Sequence, residues 1–157
     1  MKQVIWTLGT LTVILTGTIA CSPSGARVDG LDFVARDALY VQVEDTRKPG
    51  EKNLVLIVSD VDDLCDHANR GDSFAGRAKL EIVHRYTGSV RFQFMKFDDD
   101  CSVMHHEDTG QGWIETGDLG GRHIDASFTF VGGETNVTGE LTARSCTVPD
   151  GFFHACK

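Results

Sequence analysis

An alternation of apolar and polar side chains with a period of two residues constrains this chain most. In an extended strand successive side chains point to opposite faces, so this period is typical of antiparallel sheets with one face in water. The alternation runs through residues 38–44, 78–86, 90–95, 124–130 and 137–143. In the second segment, Leu80 and Ile82 fall on the apolar face, whereas Lys79 falls on the polar face. The continuously apolar run NLVLIVS, residues 53–59, predicts a central strand.

Turn signals separate these segments. They are Lys48-Pro49-Gly50, Thr87-Gly88-Ser89, Gly132-Gly133-Glu134 and Pro149-Asp150-Gly151. The pattern predicts an all-β fold, either an antiparallel sandwich or a small barrel of about 7–8 strands. One short helix is predicted over residues 60–71, with Asp60 as its N-cap and Gly71 at its end.

The first 20 residues have the composition of an export signal. Lys2 is followed by an apolar segment from Val4 to Ile19, and Thr18 and Ala20 place small residues at the cleavage positions. The apolar segment is short and interrupted by Thr and Gly, so it does not predict a membrane span. We expect residues 1–20 to be a signal peptide that is removed on export.

Cys21 stands directly after the predicted cleavage point. This arrangement resembles the lipobox of bacterial lipoproteins, in which the cysteine is acylated and becomes the new N-terminus, with Thr18 here where Leu is usual. An ordinary secretory cleavage after Ala20 is the alternative. The chain has five cysteines: Cys21, Cys65, Cys101, Cys146 and Cys156. An odd thiol is a liability in an oxidising compartment, and acylation of Cys21 would leave four cysteines for two disulfides.

The residues that follow Cys21, SPSGARVDG, are small and polar. They predict a flexible tether over residues 21–31, followed by a disulfide-stapled β domain over residues 32–157. Ser22 stands where Asp would retain an enteric lipoprotein in the inner membrane, so the resemblance implies the outer membrane. We expect an exported protein held in the bacterial cell envelope by its lipid, because each buried methylene adds about 0.8 kcal/mol of membrane affinity.

The charge balance argues against one class of partner. The chain has 15 basic and 23 acidic residues, and only Lys2 is lost with the signal, so the mature net charge would be −9. No basic stripe remains to neutralise phosphates, which argues against nucleic-acid binding. Anionic lipid headgroups would also repel a folded domain with this net negative charge. The N-terminal lipid would therefore provide the contact with the membrane.

Two short segments, LIVSDVDDLC and VTGELTARSC, carry a further resemblance. They are similar to segments of lipoproteins from myxobacteria and their relatives, a group without an assigned activity, in which a late strand reads G-x-x-x-A-x-x-C. Gly139, Ala143 and Cys146 match that pattern, and Cys65 matches an earlier cysteine. The resemblance implies a Cys65–Cys146 disulfide, which would leave Cys101 for Cys156. The sequence alone allows three connectivities.

The stretch FDDDCSVMHHEDTG, residues 97–110, raises the question of a metal site. A calcium loop of the EF-hand type needs Gly at its sixth position and an acid at its twelfth, but counting from Asp98 these are Val103 and Thr109. The two adjacent histidines would point to opposite sides of an extended segment, which does not suit zinc. We interpret the stretch as an exposed loop. The alternative is a site without a motif, formed by Asp98, Asp100, His106 and Asp108.

A second acidic cluster consists of Asp60, Asp62, Asp63, Asp66 and His67. We interpret it as the start of the predicted helix, where carboxylates interact favourably with the helix dipole. The alternative is a cation site shared with residues 98–108. Asp108-Thr109-Gly110 occurs only once, whereas aspartic proteases need two such carboxylates. Gly71-Asp72-Ser73 resembles the motif of GDS-type esterases, which require an α/β scaffold that this pattern does not predict.

The sequence contains no G-x-S-x-G element, Walker loop or dinucleotide fingerprint. We therefore expect a membrane-anchored envelope lipoprotein that acts as a non-catalytic binding or structural module without a cofactor. Its partner would be another envelope protein or a glycan. The alternative function is a metal-binding protein or a metal-dependent hydrolase that uses residues 60–67 and 98–108.

Overall fold

The computed structural model describes residues 26–109, 111–132, 135–149 and 152. The strands are β1 Arg27–Asp29, β2 Asp37–Glu44, β3 Lys52–Ser59, β4 Ala78–His84, β5 Val90–Phe97, β6 Val103–Thr109, β7 Gln111–Thr116, β8 His123–Gly132 and β9 Thr135–Ser145, and helix α1 is Leu64–Arg70. The predicted signal peptide and Cys21 lie outside the described residues. Strand β1 pairs with β9, so the folded body includes part of the segment that the sequence predicts as a tether.

The strands form one curled, mixed sheet in the order β6-β5-β4-β3-β2-β9-β8-β7, with β1 beside β9. Strands β2 to β6 form an antiparallel meander, and β7, β8 and β9 form another. The two meanders meet at β2 and β9, which run parallel and pair through Leu39 with Arg144 and Tyr40 with Ser145. The mostly-strand prediction is confirmed, but the prediction of a purely antiparallel sheet is wrong at this joint. Side-chain alternation does not specify which distant strands become neighbours.

The chain itself connects the two ends of the sheet. Strands β6 and β7 are consecutive and separated only by residue 110, yet β6 pairs with β5 at one end of the sheet and β7 pairs with β8 at the other. The sheet therefore curls until its ends approach each other. Phe92 of β5 stacks on Phe130 of β8 with ring centroids 5.0 Å apart, which packs the two ends together.

The inner face of the curled sheet encloses the main hydrophobic core. Its members alternate along the strands as the sequence predicts, and they include Leu80, Ile82, Phe92, Phe94, Ile124, Phe128, Phe130, Val137, Leu141 and Ala143. Each of these side chains is at most 4% exposed. Burial of one large apolar side chain stabilises a fold by roughly 1.5–3 kcal/mol, so this cluster is the main source of stability.

A second core lies outside β2 and β3, beneath helix α1. Leu64 and Ala68 of the helix pack with Leu39 and Ile57 from the sheet and with Phe74 from the segment after the helix. Strand β3 is consequently buried on both faces, which confirms its prediction as a central strand from an uninterrupted apolar sequence. No helix in the described part of the chain is long and apolar enough to cross a membrane.

The N-terminus of helix α1 is held by a residue from outside the helix region. The Leu64 N–H donates a hydrogen bond of 2.8 Å to the carboxylate of Asp37, which is buried at the start of β2. Asp60 instead accepts a hydrogen bond of 3.1 Å from the Ala78 N–H, so its prediction as the N-cap is wrong. Gly71 ends the helix as predicted, with a φ of 69° that favours glycine.

One disulfide lies within the described residues, between Cys65 of helix α1 and Cys146 after β9, with Cα atoms 5.8 Å apart. This confirms the pairing implied by the resemblance. Cys101 is disulfide-bonded as well, and its partner lies outside the described residues. Because Cys156 also lies outside them, the Cys101–Cys156 pairing stays a prediction.

Candidate functional site

The first half of the stretch 97–110 is a structural turn. Asp98 joins β5 to β6, and its Oδ1 accepts hydrogen bonds from the N–H of Asp100 at 3.0 Å and of Ser102 at 2.7 Å. The carboxylate therefore shapes the turn around Cys101, whose φ of 66° is left-handed. Asp100 itself is exposed.

The second half of the stretch is strand β6, so its interpretation as a loop is wrong for residues 103–109. His106 and Asp108 lie on the outer face, where the His106 Nε2 is 2.9 Å from the Gln93 Nε2 and Asp108 accepts a bond of 3.0 Å from Arg91. His105 points to the opposite face, as expected of an extended segment, and its ring centroid lies 5.9 Å from that of Phe94. Of the four proposed ligands, Asp98 and Asp100 therefore lie in a turn, whereas His106 and Asp108 lie on the outer face of a strand.

The carboxylates of the 60–67 cluster also serve local structure. Asp62 forms an ion pair of 2.8 Å with Arg36, and Asp63 lies 3.7 Å from Arg144. Within the part of the chain that the structure describes, no three or more His, Cys, Asp or Glu side chains are grouped so that they could hold a metal ion. The alternative function that depends on both acidic clusters therefore gains no support from these residues.

His67 and the Gly71-Asp72-Ser73 motif meet at the end of helix α1. The His67 Nδ1 lies 3.6 Å from a carboxylate oxygen of Asp72, which Arg70 also contacts at 2.7 Å. The Ser73 hydroxyl accepts a hydrogen bond of 3.4 Å from the Ala75 N–H within its own loop. The His67 Nε2 is buried and has no hydrogen-bond partner among the described residues. Within the described part of the chain, the Ser73 hydroxyl makes no hydrogen bond to the His67 imidazole, so the motif does not form a nucleophile–base pair.

Lys79 is a buried ionisable residue that the sequence pattern places in water. Its side chain is fully buried, with its Nζ 3.6 Å from Glu81 and 5.5 Å from the ring centroid of Phe74. Burial lowers the pKa of Lys79, and the neighbouring Glu81 carboxylate partly opposes that effect. The position is buried because the segment between β3 and β4 covers this part of the sheet. We assign Lys79 a structural role.

A cleft of about 700 Å³ lies beside the second half of β2, past the point where β2 pairs with β9. Among the described residues, 40–44, 119–121 and 145–149 line it, and Glu44 is the one carboxylate in that set. No acid–base pair or nucleophile with a base faces this cleft among the described residues. It therefore does not indicate catalysis.

The outer face of β1, β7, β8 and β9 has a different character, and we name it the Trp113 face. Its outward side chains include Arg27, Asp29, Trp113, Glu115, Asp125, Ser127, Thr129, Val131, Thr138, Glu140 and Thr142. Cross-strand pairing arranges them in rows. The first row runs Trp113–Thr129–Thr138–Asp29, the second Glu115–Ser127–Glu140–Arg27, and the third pairs Asp125 with Thr142.

Packing on the inner face determines that Trp113 points outward. Gly112 lies opposite Phe130, and Gly139 lies opposite Phe128. A Cβ atom at either glycine would overlap the facing phenyl ring, so both positions need glycine to admit a ring into the core. Because side chains alternate along β7, Trp113 is then directed to the outer face, where it is 47% exposed.

Two shallow grooves cross the Trp113 face. One of about 330 Å³ includes Trp113, Thr129 and Thr138, and the other, of about 360 Å³, includes Asp125 and Thr142. Both grooves are lined by Ser127 and Glu140, so they meet at the second row. The face therefore offers an aromatic surface at one end and hydroxyl and carboxylate groups along the rest. Sequence reasoning missed it because a lone tryptophan in a strand is ordinarily part of a core.

Comparison of the chain with protein-family models, with curated proteins and with solved structures found no match. Its function is therefore argued from the residues and their geometry.

Proposed function

We propose that this chain is an exported, lipid-anchored module of the bacterial cell envelope that binds a ligand on its Trp113 face and does not catalyse a reaction. The exposure of Trp113 on a sheet face whose other outward side chains are mostly polar is the observation that carries the proposal. Burial of a large aromatic side chain is favourable, and the part that stays exposed to water does not contribute that free energy. Covering its exposed surface with a ligand would recover that free energy.

The cysteines support export and anchoring. The Cys65–Cys146 disulfide and the disulfide of Cys101 are what an oxidising compartment allows. An odd number of cysteines cannot all pair within one chain. With Cys156 as the partner of Cys101, Cys21 is left for acylation, at the position that resembles a lipobox.

The surface chemistry supports binding more than catalysis. The groups along the grooves are hydroxyls and carboxylates spread over rows, and they suit hydrogen bonding to a polar ligand. The described ionisable groups with shifted pKa values are elsewhere. The half-buried His67 and the buried Lys79 have lowered pKa values because of desolvation, and neither lines these grooves.

Binding to envelopes tests the proposed function. The full chain carrying Cys21→Ala, which removes the acylation site, should co-sediment with envelopes from bacteria that lack this protein. We expect the further change Trp113→Ala to abolish most of that co-sedimentation, because it removes the exposed indole.

Met104 provides a matched control, because it is a large apolar residue that is 66% exposed on β6, away from the Trp113 face. Met104→Ala should leave co-sedimentation unchanged. If Trp113→Ala and Met104→Ala behave alike, or if the protein does not bind envelopes, the binding role is wrong.

A further inference from the structure

We propose that the Trp113 face binds a neutral polysaccharide of the cell envelope near the bilayer to which the chain is anchored. The inference rests on the proposed function and names the ligand class for the same surface.

The side chains of the face match the two kinds of surface on a sugar ring. A pyranose ring has flat faces rich in C–H groups, which pack on an indole, and a rim of hydroxyls, which need hydrogen-bond donors and acceptors. Trp113 supplies the aromatic surface, and Thr129 and Thr138 follow it in the same row. Glu140 and Ser127 continue the polar groups in the next row. Carboxylates and hydroxyls together can pair with every hydroxyl of a sugar.

The charge of the face selects against anionic ligands. It carries four carboxylates, Asp29, Glu115, Asp125 and Glu140, and one guanidinium, Arg27, which is 3.2 Å from Asp29. These carboxylates repel phosphate, sulfate and uronate groups at short range. A neutral sugar polymer meets no such repulsion.

The shape of the face suits a linear polymer. Side chains on one face of a strand repeat every second residue, so the three rows span roughly 14 Å along the strands. The grooves meet at Ser127 and Glu140, which makes one continuous track. Several linked rings could lie along it, with one of them on Trp113 at the end.

A protein partner fits the face less well. Protein interfaces have an apolar, well-packed centre. Trp113 and Val131, which is 60% exposed, are the large apolar side chains here, and they lie at one end of the track. The centre of the track is instead polar.

The position of β1 limits where the ligand can be. Arg27 lies six positions after Cys21 in the chain, and a fully extended chain advances at most about 3.6 Å per residue. An acylated Cys21 would hold Arg27, a member of the face, within roughly 22 Å of the bilayer surface. The ligand is therefore assigned to the envelope layer next to that bilayer.

Trp113 fluorescence provides the test. The chain has two tryptophans, Trp6 and Trp113, so the full chain carrying Trp6→Phe has one. We would titrate it with neutral pentasaccharides of β-1,4-glucan, β-1,4-N-acetylglucosamine, α-1,4-glucan and β-1,4-mannan. At least one should bind saturably, shift the emission to shorter wavelength and compete with envelope binding. Calorimetry should show about tenfold weaker binding for Trp113→Ala.

The controls separate the possible outcomes. Trp113→Phe should retain most of the affinity, Met104→Ala should retain all of it, and an anionic oligouronate should bind more weakly than the neutral sugars. Absence of binding to every neutral pentasaccharide, or binding that Trp113→Ala does not weaken, would overturn the glycan assignment. Binding of pentalysine in place of sugars would also overturn it, in favour of a cationic peptide. If envelope binding still depends on Trp113 in those cases, the proposed function survives without this ligand class.

Discussion

His67 lies on helix α1 with its ring centroid 5.3 Å from that of Phe74. Desolvation lowers the pKa of His67 from its ordinary value of 6.5, and the Asp72 carboxylate only partly opposes this. In the unfolded chain the imidazole regains its ordinary pKa. As the pH falls through 6.5, His67 becomes protonated more readily in the unfolded chain than in the folded one. The free energy of unfolding therefore decreases as the pH falls through that value.

We predict that the urea midpoint of unfolding decreases between about pH 7.5 and pH 5.5, and that His67→Phe makes this decrease smaller. A phenyl ring keeps the packing against Phe74 and cannot titrate. The exposed His123 serves as the control, and His123→Gln should keep the slope of the wild type. Equal slopes for wild type and His67→Phe would contradict the role of burial at this residue.

At the scale of elements, the disulfide between Cys65 and Cys146 ties helix α1 to the end of β9 across 81 residues of sequence. A bridge across a loop of this length restricts the unfolded chain strongly. We predict that Cys65→Ala together with Cys146→Ala lowers the free energy of unfolding by about 2–5 kcal/mol, measured by urea titration. Wild type in reductant, which opens all disulfides, should lose at least as much. An unchanged midpoint in the double variant would refute this contribution.

The same elements show what local sequence can predict. The continuous apolar run of β3 identifies a buried strand because both of its faces are covered. Strand β6 has the sequence VMHHEDT, which has no continuous apolar face, and it forms a strand by pairing along β5. Its extended state depends on a neighbour rather than on its own pattern. The helix N-terminus likewise depends on Asp37, which is distant in sequence.

The candidate site was predictable only in part for a similar reason. The acidic residues stand out in the sequence. In the structure, however, Asp98 accepts a hydrogen bond from the backbone of its own turn, and Asp108 accepts one from Arg91. The rows of the Trp113 face arise from the register of four strands, which no single segment specifies. The alternation of side chains places Lys79 on the water-facing side of β4, but it is buried because the segment between β3 and β4, which includes Phe74, covers it.

At the scale of the whole molecule, the proposed anchor determines where the Trp113 face operates. We predict that Cys21→Ala moves the protein from the membrane fraction to the soluble fraction, because it removes the acyl chains and leaves the fold intact. Ser22→Ala is the matched control and should leave the protein in the membrane fraction. Globomycin, which blocks processing of lipoprotein precursors, should cause the unprocessed chain to accumulate. Wild-type protein found in the soluble fraction would refute the anchor.

The continuity of β6 and β7 also affects how the protein behaves at high local concentration. An exposed strand edge can pair with the edge of another molecule and so start aggregation. Here β6 lies beside β8 and β7 beside β5, and Thr135 donates a hydrogen bond of 3.2 Å to Glu107 across the gap. Each terminal strand therefore shields the other. Copies that the proposed anchor would concentrate on one membrane surface would meet through their faces, and the terminal edges of their sheets would stay apart.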